Sequence, residues 1–412
     1  MRELLMSYKI PLSLISFLVT WIVASGQLWA FTPEIPKTEI LPDNNGEEWF
    51  WISGNRIPSL ADGQAYLMGQ DGKRLGQLST GYWFNSLINA HKRNEIITVE
   101  THFDRGTRGN RNDLVVMYDA NNLSFKHEIQ LPPKRMNAVR NDGLVNLTDD
   151  ERFLLVVNYT PAQSVSIVDL DKGVFIEEVE TPGCSVLYAA GNRDFYSICG
   201  NGGFMQIKLG EDGHVISRTR TEPLFDSVND FLTISASRIG NVWYFISRQH
   251  NAYAIKMEGD DIKLLDKWSL TTESEREDNW IISGMKHTAV HESSGELYVL
   301  MHQGEEKTFE EPGTHVWVYD VKTKKKVREI ELEEIAVSIA VSQKPNPRLY
   351  INSIHFPVPF LTQLWMYLID GEKSLMEIAR QRASIYNAKN GQLLFHSDLV
   401  PHGGFVLNIQ TW

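Results

Sequence analysis

Few residues in this chain have types and spacing that fit catalysis or metal binding. His287 and His291 lie four residues apart and could ligate a metal ion from one face of a helix or strand. No third ligand follows at a matching spacing, and residues 296–301 indicate a strand, so we expect no metal site. The sequence also lacks a Gly-x-Ser-x-Gly elbow, a Walker loop and a Gly-x-Gly-x-x-Gly loop. It therefore predicts that this chain contributes no catalytic residue.

A basic, glycine-punctuated loop carries three arginines, Arg105, Arg108 and Arg111, on an otherwise acidic protein. Such a loop either contacts an acidic surface of a partner or forms a solvated turn with long side chains. Both interpretations stay open from the sequence, and we treat the three arginines as a candidate partner-contact loop.

An aromatic cluster follows the glycine at position 81. Tyr82, Trp83 and Phe84 are consecutive, and Asn85 comes next. Their rings either belong to the core or line a channel or a subunit interface, because amphipathic rings are enriched at such surfaces.

The elements that must position these residues are strands in a repeat. Seven times, an apolar run is followed by a second run that ends at a polar turn. The first runs are 49–53, 95–99, 153–157, 195–198, 242–246, 297–301 and 349–351, and the second runs are 65–68, 115–119, 165–169, 204–209, 252–257, 316–320 and 383–387. A third run often follows, as at 126–131 and 326–332. Small repeated sheets bury their apolar faces by stacking around an axis, so we predict an all-β, seven-bladed β-propeller, a single closed domain over residues 48–412.

Two segments break this repeat. Residues 271–279 open with threonines followed by carboxylates, which predicts a short exposed helix. Residues 354–380 insert two prolines, an apolar run at 360–369 and helical spacing at 372–380. This insertion either binds a partner or buries its own apolar residues, and we favour the second interpretation. The C-terminal run 404–409 is expected to complete the first sheet and close the ring.

The N-terminus has the pattern of a secretory signal peptide. Arg2 and Lys9 precede an apolar stretch at 10–24, and small residues follow. We expect residues 1–30 to be a signal peptide, with cleavage after Gly26 or after Ala30 both open, and residues 31–47 to form an extended arm. Prolines and serines interrupt the apolar stretch, which favours a cleaved signal over a membrane anchor, so the protein is not expected to be membrane-embedded. A formal net charge of −12 repels phosphate backbones, so nucleic acid is not an expected partner.

Cys184 and Cys199 are the two cysteines of the chain. An even, minimal count in an exported protein favours one disulfide, with two buried free thiols as the alternative. The spacing does not fit a Cys-x-x-Cys redox or metal motif.

Several stretches together resemble one known family. They are 105–118, with Arg-Gly-x-Arg-x-Asp ahead of a strand; 182–184 through 195–202, around the cysteines; 270–280; and 295–298 through 317–323. They are similar to the heavy subunit of the methylamine dehydrogenase and aromatic amine dehydrogenase family, periplasmic bacterial quinoproteins whose heavy subunit is a seven-bladed propeller. The resemblance spans residues 48–350 and resumes at 383–409.

The resemblance implies a non-catalytic heavy subunit in a complex of two heavy and two light chains. The light subunit of that family carries tryptophan tryptophylquinone, which oxidises a primary amine to aldehyde and ammonia, and electrons pass to a small copper protein or a cytochrome. No cofactor is implied in this chain itself.

At the position that matches Tyr82, the family's methylamine enzymes have a phenylalanine that lines the substrate channel, followed by a proline-containing turn. This chain departs there with Tyr82-Trp83-Phe84, which implies an opening of different width and polarity. Residues 354–380 also depart from the family pattern. Two other functions stay open, namely a calcium-dependent hydrolase of the lactonase type and a stand-alone periplasmic binding propeller.

Overall fold

The computed structural model describes residues 40–43, 46–56, 63–84, 86–139, 141–398 and 404–412. The predicted signal peptide at 1–30, most of the predicted arm at 31–47, and Asn85 lie outside the described residues. Within them, the strands form five sheets, two of eight strands and three of four.

The first sheet contains the first and the last strand of the described chain. Its strands are β1 (Phe50–Arg56), β2 (Gly63–Met68), β3 (Arg74–Gly81), β4 (Ser86–Ala90), β5 (Glu95–Phe103), β6 (Arg111–Asp119), β7 (Phe125–Leu131) and β28 (Gly404–Thr411). Their order is β28-β1-β2-β3-β5-β6-β7, with β4 paired to β5. The pairing of β28 with β1 confirms that the C-terminal run completes the first sheet.

Three four-stranded sheets follow in chain order. They consist of β8 (Val145–Leu147), β9 (Phe153–Asn158), β10 (Ser164–Asp169) and β11 (Val174–Glu180); β12 (Cys184–Ala190), β13 (Asp194–Cys199), β14 (Phe204–Leu209) and β15 (Val215–Arg220); and β16 (Leu232–Ile239), β17 (Val242–Ser247), β18 (Asn251–Glu258) and β19 (Asp261–Ser269). In each of these sheets, strands that are consecutive in the chain are neighbours.

The fifth sheet is built around one long strand. Its members are β20 (Trp280–Ile282), β21 (Thr288–His291), β22 (Glu296–Gln303), β23 (Gly313–Asp320), β24 (Lys325–Val341), β25 (Arg348–His355), β26 (Arg380–Asn387) and β27 (Leu393–Asp398). The 17 residues of β24 pair first with β23 and then with β25, so two groups of strands become one sheet.

All seven predicted pairs of runs are confirmed as antiparallel neighbours. They are β1 with β2, β5 with β6, β9 with β10, β13 with β14, β17 with β18, β22 with β23, and β25 with β26. The runs were recognisable because these strands lie inside the sheets and are buried on both faces; every residue of β9 and β10 is buried.

The core lies between successive sheets. Val99 and Val115 of the first sheet pack with Val156 of the next. Further along, Tyr196 packs with Phe245 of the following sheet. Each large apolar side chain buried in this way contributes about 1.5–3 kcal/mol. Since a single sheet exposes both of its faces, this stacking is what makes the sheets stable.

Cys184 and Cys199 form the predicted disulfide. They face each other across β12 and β13 with their Cα atoms 4.0 Å apart. The alternative of two free thiols is therefore excluded.

Three α-helices occur among the described residues: α1 (Glu273–Glu277), α2 (Phe360–Asp370) and α3 (Glu372–Ile378). The first confirms the predicted exposed helix, and Thr272 with Glu275 forms a capping box at its start. The predicted helix after position 372 is confirmed by α3, while the preceding apolar run is helical as well. Our favoured interpretation, that the insertion buries its own apolar residues, is wrong, because α2 leaves several of them exposed.

No helix in the described ranges is both long and apolar enough to cross a membrane.

Candidate functional site

The aromatic cluster lies in the loop that joins β3 to β4. Gly81 has φ of 77°, and a Cβ atom there would lie 2.6 Å from the carbonyl oxygen of Thr101. Only glycine permits this close approach, which also lets the backbone N–H of Tyr82 donate to the same oxygen at 2.7 Å. The loop is therefore attached to β5.

The three predicted rings form one half-buried surface. The ring of Tyr82 stacks on that of Trp83 with centroids 6.1 Å apart and meets Phe103 edge to face at 5.1 Å. Trp83 also contacts Phe84, at 6.0 Å. All four rings are neither fully buried nor fully exposed. An accessible aromatic surface of this kind can form the wall of a channel or contact a partner.

A buried cluster of polar residues holds this loop in place through hydrogen bonds. Asp113 is fully buried and accepts hydrogen bonds from Thr101 Oγ1 at 2.7 Å, from Arg111 Nε at 2.9 Å and from the backbone N–H of Arg135 at 2.9 Å. The Arg135 guanidinium donates to Thr101 Oγ1 at 2.7 Å and to the carbonyl oxygen of Phe84 at 3.0 Å. Burial lowers the pKa of Arg135 to about 10, so it remains charged at neutral pH. The cluster thus fixes the end of the aromatic loop to β5 and β6.

The arginine loop lies beside the aromatic loop but does not present all three arginines. Arg105 and Arg108 are exposed, and the backbone N–H of Arg105 donates to the carbonyl oxygen of Arg108 at 3.1 Å. Arg111 points inward, to Asp113 and to the carbonyl oxygen of Arg135 at 2.7 Å. The loop therefore offers two cations to a partner, while the third belongs to the buried cluster.

A titratable pair borders the same loop. His102 Nε2 lies 2.8 Å from Glu100 Oε2, and this hydrogen bond raises the pKa of His102. Glu100 is itself buried and also accepts from the Tyr118 hydroxyl at 3.2 Å. The partly exposed imidazole therefore carries positive charge to a higher pH than a free histidine does.

Sequence reasoning missed Glu100, His102 and Arg135 entirely. Asp113 did lie within the Arg-Gly-x-Arg-x-Asp stretch, and its position two residues after an arginine on one strand was a usable signal. Glu100 and His102 also lie two residues apart on one strand, so the same signal was present there. Arg135 has no local pattern, because its partners Thr101 and Phe84 come from distant segments of the chain.

A separate cavity of about 360 Å³ is lined by residues from the first strands of several sheets, among them β8, β12 and β16. Its lining includes Asn146, Arg238, Asp142 and Lys286, and the last two form an ion pair at 2.6 Å. Tyr82, Trp83 and Phe84 do not line this cavity.

The two histidines considered for a metal site make separate contacts. His287 Nε2 lies 2.9 Å from Thr233 Oγ1, whereas His291 lies 2.7 Å from Ser294 Oγ and 3.0 Å from the carbonyl oxygen of Lys344. Across the described segments, no group of three or more His, Cys, Asp or Glu residues is placed to hold a metal ion.

Burial of His287 predicts a loss of stability in acid. The buried site favours the neutral ring and lowers the pKa of His287 to about 4, whereas an unfolded histidine titrates near 6.5. The stabilising contribution is complete above pH 6.5 and is lost as the pH falls towards 4, amounting to about 2 kcal/mol at pH 5. Urea unfolding at pH 8 and at pH 5 gives the free energy of unfolding at each pH. We expect the decrease between the two pH values to be smaller in His287→Gln than in the wild type, by about 2 kcal/mol.

His250 also has its pKa lowered to about 4 by burial and stays in both proteins, so only the difference between wild type and variant is informative. An identical pH dependence in the two proteins would show that His287 is not buried as a neutral ring.

Comparison with known proteins identifies one family. The family described as methylamine dehydrogenase heavy chain (MADH) matches residues 60–364. The methylamine dehydrogenase heavy chain of Methylobacillus flagellatus is 26% identical over 284 residues, covering 68% of this chain and 70% of its own. That of Methylophilus methylotrophus is 26% identical over 290 residues, covering 68% and 69%.

Solved structures of low identity show the fold alone. A functionally unknown protein from Desulfotomaculum acetoxidans has a TM-score of 0.55 at 11% identity, covering 87% of this chain and 98% of its own. The β-propeller domain of Cps50 (Swd1) from Myceliophteria thermophila has a TM-score of 0.50 at 9% identity, covering 73% and 93%. The arrangement of antiparallel sheets is therefore propeller-like.

Proposed function

The chain belongs to the family of methylamine dehydrogenase heavy chains, and from this we propose that it is the heavy, non-catalytic subunit of a periplasmic amine dehydrogenase. The family match over residues 60–364 is the observation that carries the proposal. The half-buried aromatic loop, held by a buried polar cluster, supports a role in shaping a site rather than in reacting.

The finer architecture that we propose is a ring of seven four-stranded blades. One blade contains β28, β1, β2 and β3, and the next contains β4 to β7. Each four-stranded sheet is a blade, and the fifth sheet divides within β24, which pairs with β23 from Lys325 to Glu331 and with β25 from Ile335 to Val341. In this arrangement the pairing of β28 with β1 closes the ring and leaves no free edge between the chain ends.

The residues of this chain act as a wall in the proposed complex. The quinone, carried by a small light subunit, supplies the oxidation of a primary amine to aldehyde and ammonia. Tyr82, Trp83 and Phe84 present aromatic rings with a single hydroxyl among them, that of Tyr82, which fits contact with a mainly apolar part of the substrate path. In a complex of two heavy and two light chains, the interface between a heavy and a light subunit is obligate and should bury more than about 2,000 Å².

The proposal includes export and a downstream electron acceptor. Residues 1–30 would direct export to the periplasm and be cleaved off in the process, and N-terminal sequencing of the exported protein tests this. Arg105 and Arg108 are the exposed cations beside the aromatic loop, and we assign them to contact with an acidic partner, either the light subunit or the small copper protein or cytochrome that accepts electrons.

Co-expression with the candidate light subunit tests the function. We expect a small, cysteine-rich protein to co-purify with visible quinone absorbance, and that absorbance to change when a primary amine is added. The chain expressed alone is the control and should show no turnover. Turnover by this chain alone, or a stable monomer in the presence of the light subunit, would contradict the proposal. A thermal shift on addition of calcium would point instead to the lactonase-type alternative.

Replacing Tyr82 by Ala should change amine preference without unfolding the protein. The ring contacts Trp83 and Phe103, so its loss opens space beside these two rings, whereas the backbone hydrogen bond to Thr101 is retained. We expect the ratio of kcat/KM for methylamine and an aryl amine to change by about 10-fold or more in the assembled complex.

Two further variants separate the causes. Tyr82→Phe keeps the ring and removes the hydroxyl, so it reports polarity rather than width. Tyr159→Ala removes an exposed tyrosine elsewhere and should leave the ratio unchanged. If Tyr82→Ala has the selectivity of the wild type, Tyr82 does not line the substrate path.

A further inference from the structure

Helix α2 exposes an unusual amount of apolar surface. Leu361 is 77% exposed, Leu368 is 73% exposed and Trp365 is 64% exposed. Leu364, Tyr367 and Ile369 of the same helix are also exposed. Surface apolar residues are normal when scattered singly, whereas a contiguous group on one helix marks a contact site.

Four of these residues form a stripe along one side of the helix. Leu361, Leu364, Trp365 and Leu368 are at positions i, i+3, i+4 and i+7, so their side chains lie on one face. This is the spacing by which a helix packs against another apolar surface. The following helix α3 does not cover the stripe, although Ser374 Oγ donates to the carbonyl oxygen of Met366 at 3.1 Å.

The position of the helices makes this stripe accessible. His355 and Arg380 pair at the ends of β25 and β26, so α2 and α3 form the tip of that hairpin. A surface at the tip of a hairpin can meet another molecule without disturbing the sheets.

Charge favours a second copy of this chain as the occupant. Residues 356–369 contain no Asp, Glu, Lys or Arg, although the whole protein has a net charge of −12. Two copies can therefore meet along the stripe without placing like charges against each other, because the one charged residue of α2, Asp370, lies at the end of the helix. A lipid surface fits less well, because helices that lie in membranes carry Lys or Arg on their polar face, and α2 has no basic residue.

The available area is also sufficient. The exposed parts of the six side chains amount to an area on the order of 700 Å² per copy, close to the roughly 800 Å² that one partner contributes to a standard protein interface. Twofold pairs in which each copy uses the same surface are the commonest oligomers.

We propose that α2 is the contact between two copies of this chain, with the stripe of one copy packed on the stripe of the other. The contact needs neither the light subunit nor the quinone. It therefore goes beyond the proposed catalytic role and can be tested on the chain alone.

Sedimentation equilibrium from about 1 to 100 µM tests the contact. We expect the wild type to be a dimer and Leu361→Glu/Leu368→Glu to associate at least about 100-fold more weakly, since four carboxylates would face each other in an apolar contact. Both side chains are largely exposed, so circular dichroism and the Tm should stay unchanged. The matched control, Ile216→Glu/Val228→Glu, replaces two exposed apolar residues elsewhere and should remain a dimer.

Several results would overturn the proposal. These are a wild type that is monomeric at about 100 µM, an α2 variant that dimerises as tightly as the wild type, and equal dissociation of the control. A monomer that binds neutral lipid vesicles through α2, or that pairs only with a different protein, would assign the surface to another occupant. This assay measures the mass of the chain in the absence of the light subunit. The chain can therefore prove monomeric although the quinone complex forms, and it can dimerise although no quinone complex forms.

Discussion

Replacing Asp113 by Ala is expected to lower the free energy of unfolding by about 3–5 kcal/mol, because the change leaves a buried guanidinium without its counter-charge. Arg135 is buried and its backbone N–H donates to Asp113, as do Thr101 Oγ1 and Arg111 Nε. Removing the carboxylate therefore leaves three donors without this acceptor, and two of them, on Thr101 and Arg135, are buried. Urea unfolding followed by near-ultraviolet circular dichroism measures the loss.

The effect should extend to the aromatic loop. Since Arg135 donates to the carbonyl oxygen of Phe84, a displaced guanidinium releases the end of the loop, and activity in the assembled complex should fall as well. Asp104→Asn is the matched control, because Asp104 is exposed and lies in the neighbouring arginine loop. It should cost no more than about 1 kcal/mol. If Asp113→Ala and Asp104→Asn lower the free energy of unfolding by similar amounts, the buried position of Asp113 is not what stabilises this site.

Replacing Cys184 by Ser should lower stability by about 3 kcal/mol, because the bond to Cys199 closes a loop of 15 residues in the unfolded chain. For a protein of this size, that loss corresponds to a Tm lower by roughly 4 °C, measurable by calorimetry. The bond also joins β12 and β13 directly, so its loss weakens the sheet at the segment that carries the resemblance to the family.

Reduction provides the control for this prediction. A thiol reductant should lower the Tm of the wild type towards that of Cys184→Ser/Cys199→Ser and should leave the double variant unchanged. A wild type and double variant with the same Tm would argue that the disulfide does not stabilise the folded protein.

The strands were predictable because the information that specifies them is local. The run 153–157 is apolar along its whole length and the run 165–169 is mostly apolar, as expected for strands buried on both faces, and polar turns mark where each run ends. The helix at Glu273–Glu277 was predictable for the same reason, since Thr272 and Glu275 form its cap within four residues of sequence.

The insertion shows where local patterns stop being informative. Its helical spacing indicated a helix after position 372, but the pattern could not show which face of α2 would meet the rest of the protein. The exposure of Leu361 and Leu368 depends on what is packed beside them, and this is a property of the folded chain.

The sequence by itself determined the strand repeat, the cysteine pairing and the family, because each depends on residue types at short, regular spacings. Only the tertiary structure decided which polar residues support the aromatic loop. Arg135 reaches back 51 positions to Phe84 and 34 to Thr101, and Arg111 turns inward instead of facing a partner. These contacts form when separate strands pack together, and a hydrogen bond between distant segments has no signature in either segment alone.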